Sequence, residues 1–361
     1  MKKILQPQFL VTLICSVIIS SAAFAQGITT PRTPSPGASI SQTIGISTVT
    51  INYSRPSVKG RAIWGELVPY GWTLQGSPEP APWRAGANEN TVIHFSHDAK
   101  VEGQTVPAGS YGLFFTVNKD DTGEVILSKD YRSWGAFHYD PKQDQVRTNI
   151  KLRPHAMTEI LTYDFINLTK NSAELVLNWE NKQFPVKIEF AVDDIIMANA
   201  TEELKSTTGF NWVGWSSAAN YALQNNLDTA QAMKWANQSI TMNKNFTNLM
   251  VKAGILRKQG KTEEAAKIET EALTMASNAE VNAYGYQLLG QNKYDEAIAV
   301  LELNTKRYPE DANTWDSLGE AYALKGDKEN AIKNFKISLT KNPNDNTKAN
   351  SMKYLRQLGA M

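Results

Sequence analysis

From about Ile40 to Phe190, apolar residues recur at every second position. The stretch "STVTINYS" places Val49, Ile51 and Tyr53 on one face, and "TVIHFSH" does the same with Ile93 and Phe95. "SYGLFFTV" aligns Tyr111, Leu113, Phe115 and Val117. "AELVLNW" aligns Leu175, Leu177 and Trp179, and "FPVKIEF" aligns Phe184, Val186, Ile188 and Phe190. Turn residues punctuate the runs at 118–123 ("NKDDTG"), 169–172 ("TKNS") and 180–183 ("ENKQ"). Short alternating runs with regular turns predict an antiparallel β-sandwich-like domain over 38–190. The period then changes. "AVDDIIMANATEELKS" reads as a helix leaving the sheet, within a helical linker at 191–212.

The strongest regularity follows the linker. "TWDSLGEAYALKGDKENAIKNFKISLTKNPND" carries Trp315, Leu318, Gly319 and Tyr322, then Ala331, Phe335 and Pro343. This resembles the W-x2-L-G-x2-Y…A-x3-F…P pattern of a tetratricopeptide repeat. Earlier copies are degenerate but in phase: Ala232, Ala265, Ala297 and Ala331 hold one position, Gly260 matches Gly326, and Pro309 matches Pro343. The expectation is an all-α tetratricopeptide-repeat solenoid of about four hairpins over 213–345, closed by a capping helix at 346–361. The resemblance implies a protein or peptide partner. A familiar variant that clamps a C-terminal carboxylate needs Lys and Asn on each first helix. Asp316 and Glu320 stand at those positions of the last repeat, so that variant is not expected.

Three polar stretches interrupt the strand pattern: "RPSVKGRAIWGELVPYG" (55–71), "WRAGANENT" (83–91) and "WGAFHYDPKQDQVR" (134–147). Gly86 suits a positive backbone dihedral and close approach of another chain. Asn88 and Asn90 suit turns. Glu89 is a natural ion partner for Arg84, Arg55, Arg61 or Arg147. Two readings stand. In one, an arginine–carboxylate network braces the loops. In the other, Arg55, Arg61, Tyr70, Trp83, Arg84, Asn88, Glu89, Trp134, Tyr139, Asp144 and Arg147 include the groups a sugar or carboxylate site needs.

These stretches, with the "GQTVPAGSYGL" turn and strand, resemble the domain of unknown function 2911, a family of exported bacterial proteins common in Bacteroidetes. The resemblance covers roughly 35–190 and implies tetratricopeptide repeats afterwards, but no reaction. One departure is the insert "WTLQGSPEPAP" (72–82), expected to be a surface excursion that either rims a site or lengthens a turn.

Catalytic patterns are thin. On one strand His94 and His97 point to opposite faces, so "HFSHD" is a poor metal pair. No metal or cofactor is expected. The alternative to a binding protein is a hydrolase acting on envelope or dietary polymers through Glu89, Asp140 and His138, with Asp144 as a further carboxylate.

The chain opens "MKKILQPQFLVTLICSVIISSAAFAQG": two lysines, a short apolar core from Phe9 to Ser20, and Ala23-Phe24-Ala25 as a small-x-small site. This predicts a signal peptide cleaved near Ala25, and export to the periplasm or beyond. The apolar run of about 12 residues is short of the roughly 20 that span a bilayer. A Pro/Ser/Thr-rich tether at 26–37 follows. Cys15 is the only cysteine, so disulfides contribute nothing to the expected mature chain. Without residues 1–25, which hold two lysines and no acid, the balance is 35 basic to 36 acidic side chains, a net charge of −1. No broad basic field for nucleic acid or an anionic membrane is expected.

Overall fold

The computed structural model describes residues 35–74 and 78–361. The expected leader and most of the tether lie outside these residues. The chain divides into two compact units, one ending at Val192 and the other running Asp193–Met361.

The first unit holds ten strands in two antiparallel sheets. In the six-stranded sheet the order is β1 (Gly37–Ile44), β2 (Ser47–Ser54), β3 (Val92–Phe95), β6 (Gly109–Phe115), β7 (Thr122–Ser128) and β8 (Asp144–Lys151). The four-stranded sheet runs β5 (Gln104–Val106), β4 (Ala99–Val101), β10 (Ser172–Glu189) and β9 (Arg153–Ile166). Their apolar faces meet through rings: Phe115 lies 5.1 Å from Phe184, and Phe95 lies 6.5 Å from Phe190. Val49, Ile51, Ile93, Leu113, Leu175 and Leu177 are buried in the same core.

Two sequence expectations need correction here. "ENKQ" is not a turn, because β10 runs unbroken through it. The register slips between Asn178 and Glu180 and again between Glu180 and Lys182, and Glu180 has φ +52°. This bulge explains a parity change visible in the sequence. Apart from Val176, the buried residues are odd-numbered up to Trp179, and they are even-numbered from Phe184. The parity changes where Glu180 leaves the extended conformation and the pairing with β9 is irregular, so both sets stay on the core side. The second correction concerns β6, where Tyr111 to Phe115 are all buried. Its outer face is not solvated. Phe114 and Ile126 pack there against Ala81, Ala136, Trp72 and Tyr139 in a small second core. The 72–82 insert is therefore partly structural. A bridge joins Thr73 to Ala81, and the Trp72 indole N–H donates to Glu124 at 2.7 Å.

The second unit is helical: α1 (Val192–Glu203), α2 (Trp212–Gln224), α3 (Thr229–Met242), α4 (Phe246–Lys258), α5 (Thr262–Met275), α6 (Asn278–Gly290), α7 (Tyr294–Arg307), α8 (Ala312–Lys325), α9 (Lys328–Thr340) and α10 (Asp345–Gln357). Helices α2 to α9 form four antiparallel hairpins, and α10 packs on the last. The repeated alanines are why the helices approach closely: Ala232 is 1 % exposed, and Ala265, Ala297 and Ala331 are 0 %. A Cβ on Gly319 would stand 2.9 Å from the Phe335 ring. Seven residues after two of these alanines a serine ties the hairpin shut. Ser239 donates to the Trp212 carbonyl and Ser338 to the Ala312 carbonyl, each at 2.9 Å. The tryptophans are also equivalent, since Trp215 donates to the Gly209 carbonyl and Trp315 to that of Pro309, both at 2.9 Å.

Candidate functional site

The polar stretches of the first unit build two separate places. The first is a cavity of about 380 Å³ whose lining includes Lys59, Arg61, Leu67, Val68, Trp83, Arg84, Asn88 and Trp179. Its floor is aromatic. Trp83 stacks on Trp179 at 5.7 Å with 16° between planes, and Trp64 stands edge-on to both. Arg84 is held above this floor, donating from Nη1 to the Asn88 carbonyl at 2.6 Å, with the Phe137 ring 5.7 Å away. Burial lowers its pKa. Gly135, at φ +61°, makes room, because a Cβ there would be 2.6 Å from the guanidinium.

The loop that carries Arg84 is tied down from both sides. Asn88 donates to the Ser35 carbonyl at 3.1 Å, and Thr91 donates to the Ala85 carbonyl at 3.0 Å. The positive dihedrals sit on Ala85 (φ +54°) and Asn88 (φ +62°), not on Gly86 as the sequence suggested. Gly86 is needed for close approach, since its Cβ would meet the Thr91 hydroxyl at 2.7 Å. Arg61 holds its turn by donating to the carbonyls of Val58 (3.1 Å) and Ser57.

The second place is a polar triad beside the small core. The Tyr139 hydroxyl reaches both carboxylate oxygens of Asp144 at 2.8 and 2.7 Å. Arg147 donates to Asp144 at 3.0 and 2.5 Å and to Tyr139 at 3.0 Å, and lies over the Trp72 ring at 4.5 Å. Burial, with the neighbouring carboxylate second, pushes the Tyr139 hydroxyl well above its ordinary value. Burial also raises Asp144 above the usual carboxylate range, against the lowering effects of Tyr139 and Arg147.

The remaining predicted residues fall elsewhere. Arg55 braces β9, donating to the Leu161 carbonyl at 2.9 Å and the Thr162 hydroxyl at 2.7 Å. Tyr70 lies against Gly65 with Lys119 over its ring at 5.9 Å. Trp134 is 48 % exposed, and Glu89 is half-buried and engaged. Asp140 caps a short 3-10 turn by accepting from the Lys142 amide at 3.0 Å, and His138 is exposed. None of Glu89, His138 and Asp140 lines the cavity. His94 pairs with Ser110 and His97 with Ser96. Among the described residues no three His, Cys, Asp or Glu side chains are grouped to hold a metal. Lys59 lines the cavity although it is not among the site residues that the sequence pattern suggests. The signal was present in "SVKGR", where Lys59 and Gly60 both take positive dihedrals and turn the lysine toward the cavity rim.

In the second unit, α2, α4 and α6 share one groove of about 550 Å³. Leu223, Phe246, Met250, Tyr284 and Leu288 supply its apolar surface, and Asn220, Gln224, Gln287 and Gln291 its amides. Phe246 meets Tyr284 edge-on at 6.2 Å. Arg257 and Glu269 pair across one side at 2.7 and 2.5 Å. Asp316 and Glu320 play a different part. Buried Asp316 accepts from Ser351 and, at 2.8 Å, from Asn350. Glu320 accepts from Tyr286 at 3.0 Å and Tyr354 at 3.2 Å. Asp316 fastens the last repeat to α10, and Glu320 ties it to both α6 and α10.

Residues 35–188 match the family model described as "Protein of unknown function (DUF2911)". The first unit is a DUF2911 domain. The Arg84 cavity and the Tyr139 triad both belong to the DUF2911 domain, and the helical hairpins follow it. No curated protein matches the chain. Among solved structures the chain is similar to YrrB, described as a TPR protein with an unusual peptide-binding site: 16 % identity, covering 45 % of this chain and 84 % of that one, TM-score 0.28. Similarity to MamA covers 42 % of this chain and 88 % of that one at 17 % identity, TM-score 0.28. For the APC/C Cut9–Hcn1 hetero-tetramer the identity is 19 % and the TM-score 0.28, over 46 % of this chain. The chain spans about a third of that one, 34 %.

Proposed function

We propose that this chain is an exported, non-catalytic binding protein of the periplasm or cell envelope, and that its repeats take an extended segment of a partner protein. The groove shared by α2, α4 and α6 carries this reading. A peptide in extended conformation offers alternating N–H and C=O groups along its length. Primary amides both donate and accept, so Asn220, Gln224, Gln287 and Gln291 suit that backbone. Met250, Tyr284 and Leu288 suit alternate side chains, and methionine adapts to varied shapes. The leader-like pattern of residues 1–25 supports the export half of the reading.

Site-specific photo-crosslinking in the host tests it. A crosslinking residue at Gln287, exposed in the groove, is expected to trap one recurring protein through a defined segment. The same residue at exposed Lys336 on α9 should not trap it. Met250→Glu, which puts a charge on the apolar surface, should remove the Gln287 product. Equal trapping at both positions overturns the reading.

A further inference from the structure

We propose that the DUF2911 domain binds a small oxyanion-bearing molecule in the cavity above Trp83. Its carboxylate or phosphate is held by Lys59, Arg61 and Arg84, and its ring-sized body lies against Leu67, Val68 and Trp83. This goes beyond the repeat reading and stands or falls separately from it, since it concerns the other unit.

Charge is the first argument. Three cationic side chains line one cavity of about 380 Å³, and no Asp or Glu is among the described residues that line it. The chain as a whole is close to neutral, at +1. Composition therefore does not impose this concentration. Like charges gathered around a partly dehydrated space repel, and the cost is relieved by an anion between them. Arg84 sharpens the point. It is half-buried, burial lowers its pKa, and it is fixed by the Asn88 carbonyl at 2.6 Å, so the fork is held in place before any ligand arrives. A guanidinium matches the two oxygens of a carboxylate or phosphate side by side.

The surplus of donors is the second argument. Trp179, 1 % exposed and part of the lining, has an indole N–H without an acceptor among the described residues. The third is shape. The stacked Trp83–Trp179 pair gives a rigid apolar floor, and the volume falls in the lower part of the small-molecule range of about 300–1,000 Å³.

Calorimetric titration of residues 26–361 with galacturonate, glucose 6-phosphate and glucose tests the proposal. Saturable binding of either anion, with glucose weaker by about tenfold or more, is expected. Galacturonate alone makes the source a carboxylate, and glucose 6-phosphate alone makes it a phosphate ester. Arg61→Gln and Lys59→Gln should each weaken the anion by about tenfold, the loss expected when one charged hydrogen bond goes. The Lys59 side chain is exposed, so the thermal midpoint of Lys59→Gln should match wild type, whereas Arg61→Gln also loses the bonds to Val58 and Ser57 and is titrated well below its own, lower midpoint. Glucose binding as tightly as the anions, variants that bind like wild type, or no saturable heat from either anion overturns the proposal.

Discussion

At the scale of single residues, the Tyr139–Asp144–Arg147 triad shows how a polar cluster braces a fold. Asp144 is half-buried and accepts from both partners, so its carboxylate is solvated by the protein. Tyr139→Phe removes a hydrogen bond to a charged group and should cost about 1.5–3 kcal/mol in urea unfolding. No change would contradict the brace. The raised Asp144 value has a sign. The native chain keeps this proton at pH values where the unfolded chain has lost it. Stability from this group therefore falls as pH rises from the ordinary carboxylate value, about 4, through the raised native one, and returns on acidification. Wild type should gain stability relative to Asp144→Asn as pH drops through that window. The opposite trend, measured by unfolding at a series of pH values, would contradict the assignment. Residue identity alone named Arg61, Trp83, Arg84 and Asn88 together. It did not separate them from Tyr139, Asp144 and Arg147, because spacing along a chain says nothing of which face of a sheet a loop returns to.

At the scale of elements, period and parity were the legible quantities. Alternation named the core faces of β2, β3 and β10, and the shift from odd to even positions across 179–184 marked the Glu180 bulge. Its polar residues disguised it as a turn. Glu180→Gly, at φ +52°, should be neutral or stabilising by up to about 1 kcal/mol, since glycine accepts that conformation without a Cβ penalty. Deleting Glu180 should abolish folding of the domain, because Phe184, Val186 and Ile188 would turn outward. Circular dichroism and urea titration of both variants distinguish the two effects. The outer face of β6 was not legible, because the residues that cover it come from two distant loops. In the repeats the alanine phase was legible directly. Gly319→Ala should cost about 1–3 kcal/mol by overpacking against Phe335. A variant as stable as wild type would show that the helices have room to separate.

At the scale of the whole molecule, two cores of different construction lie on either side of residue 192. Among the described residues no helix is long and apolar enough to cross a membrane. The repeat pattern gave the hairpins, but no pattern could reveal that α2, α4 and α6 set apolar and amide side chains around one groove, since that depends on packing between repeats. Hydrogen exchange of residues 26–361, alone and with the partner trapped through Gln287, tests this most directly. Binding in the groove predicts slowed exchange in α2, α4 and α6 and little change in α3, α5 and α7. Protection confined to α3, α5 and α7, or absent from the hairpins altogether, would contradict it.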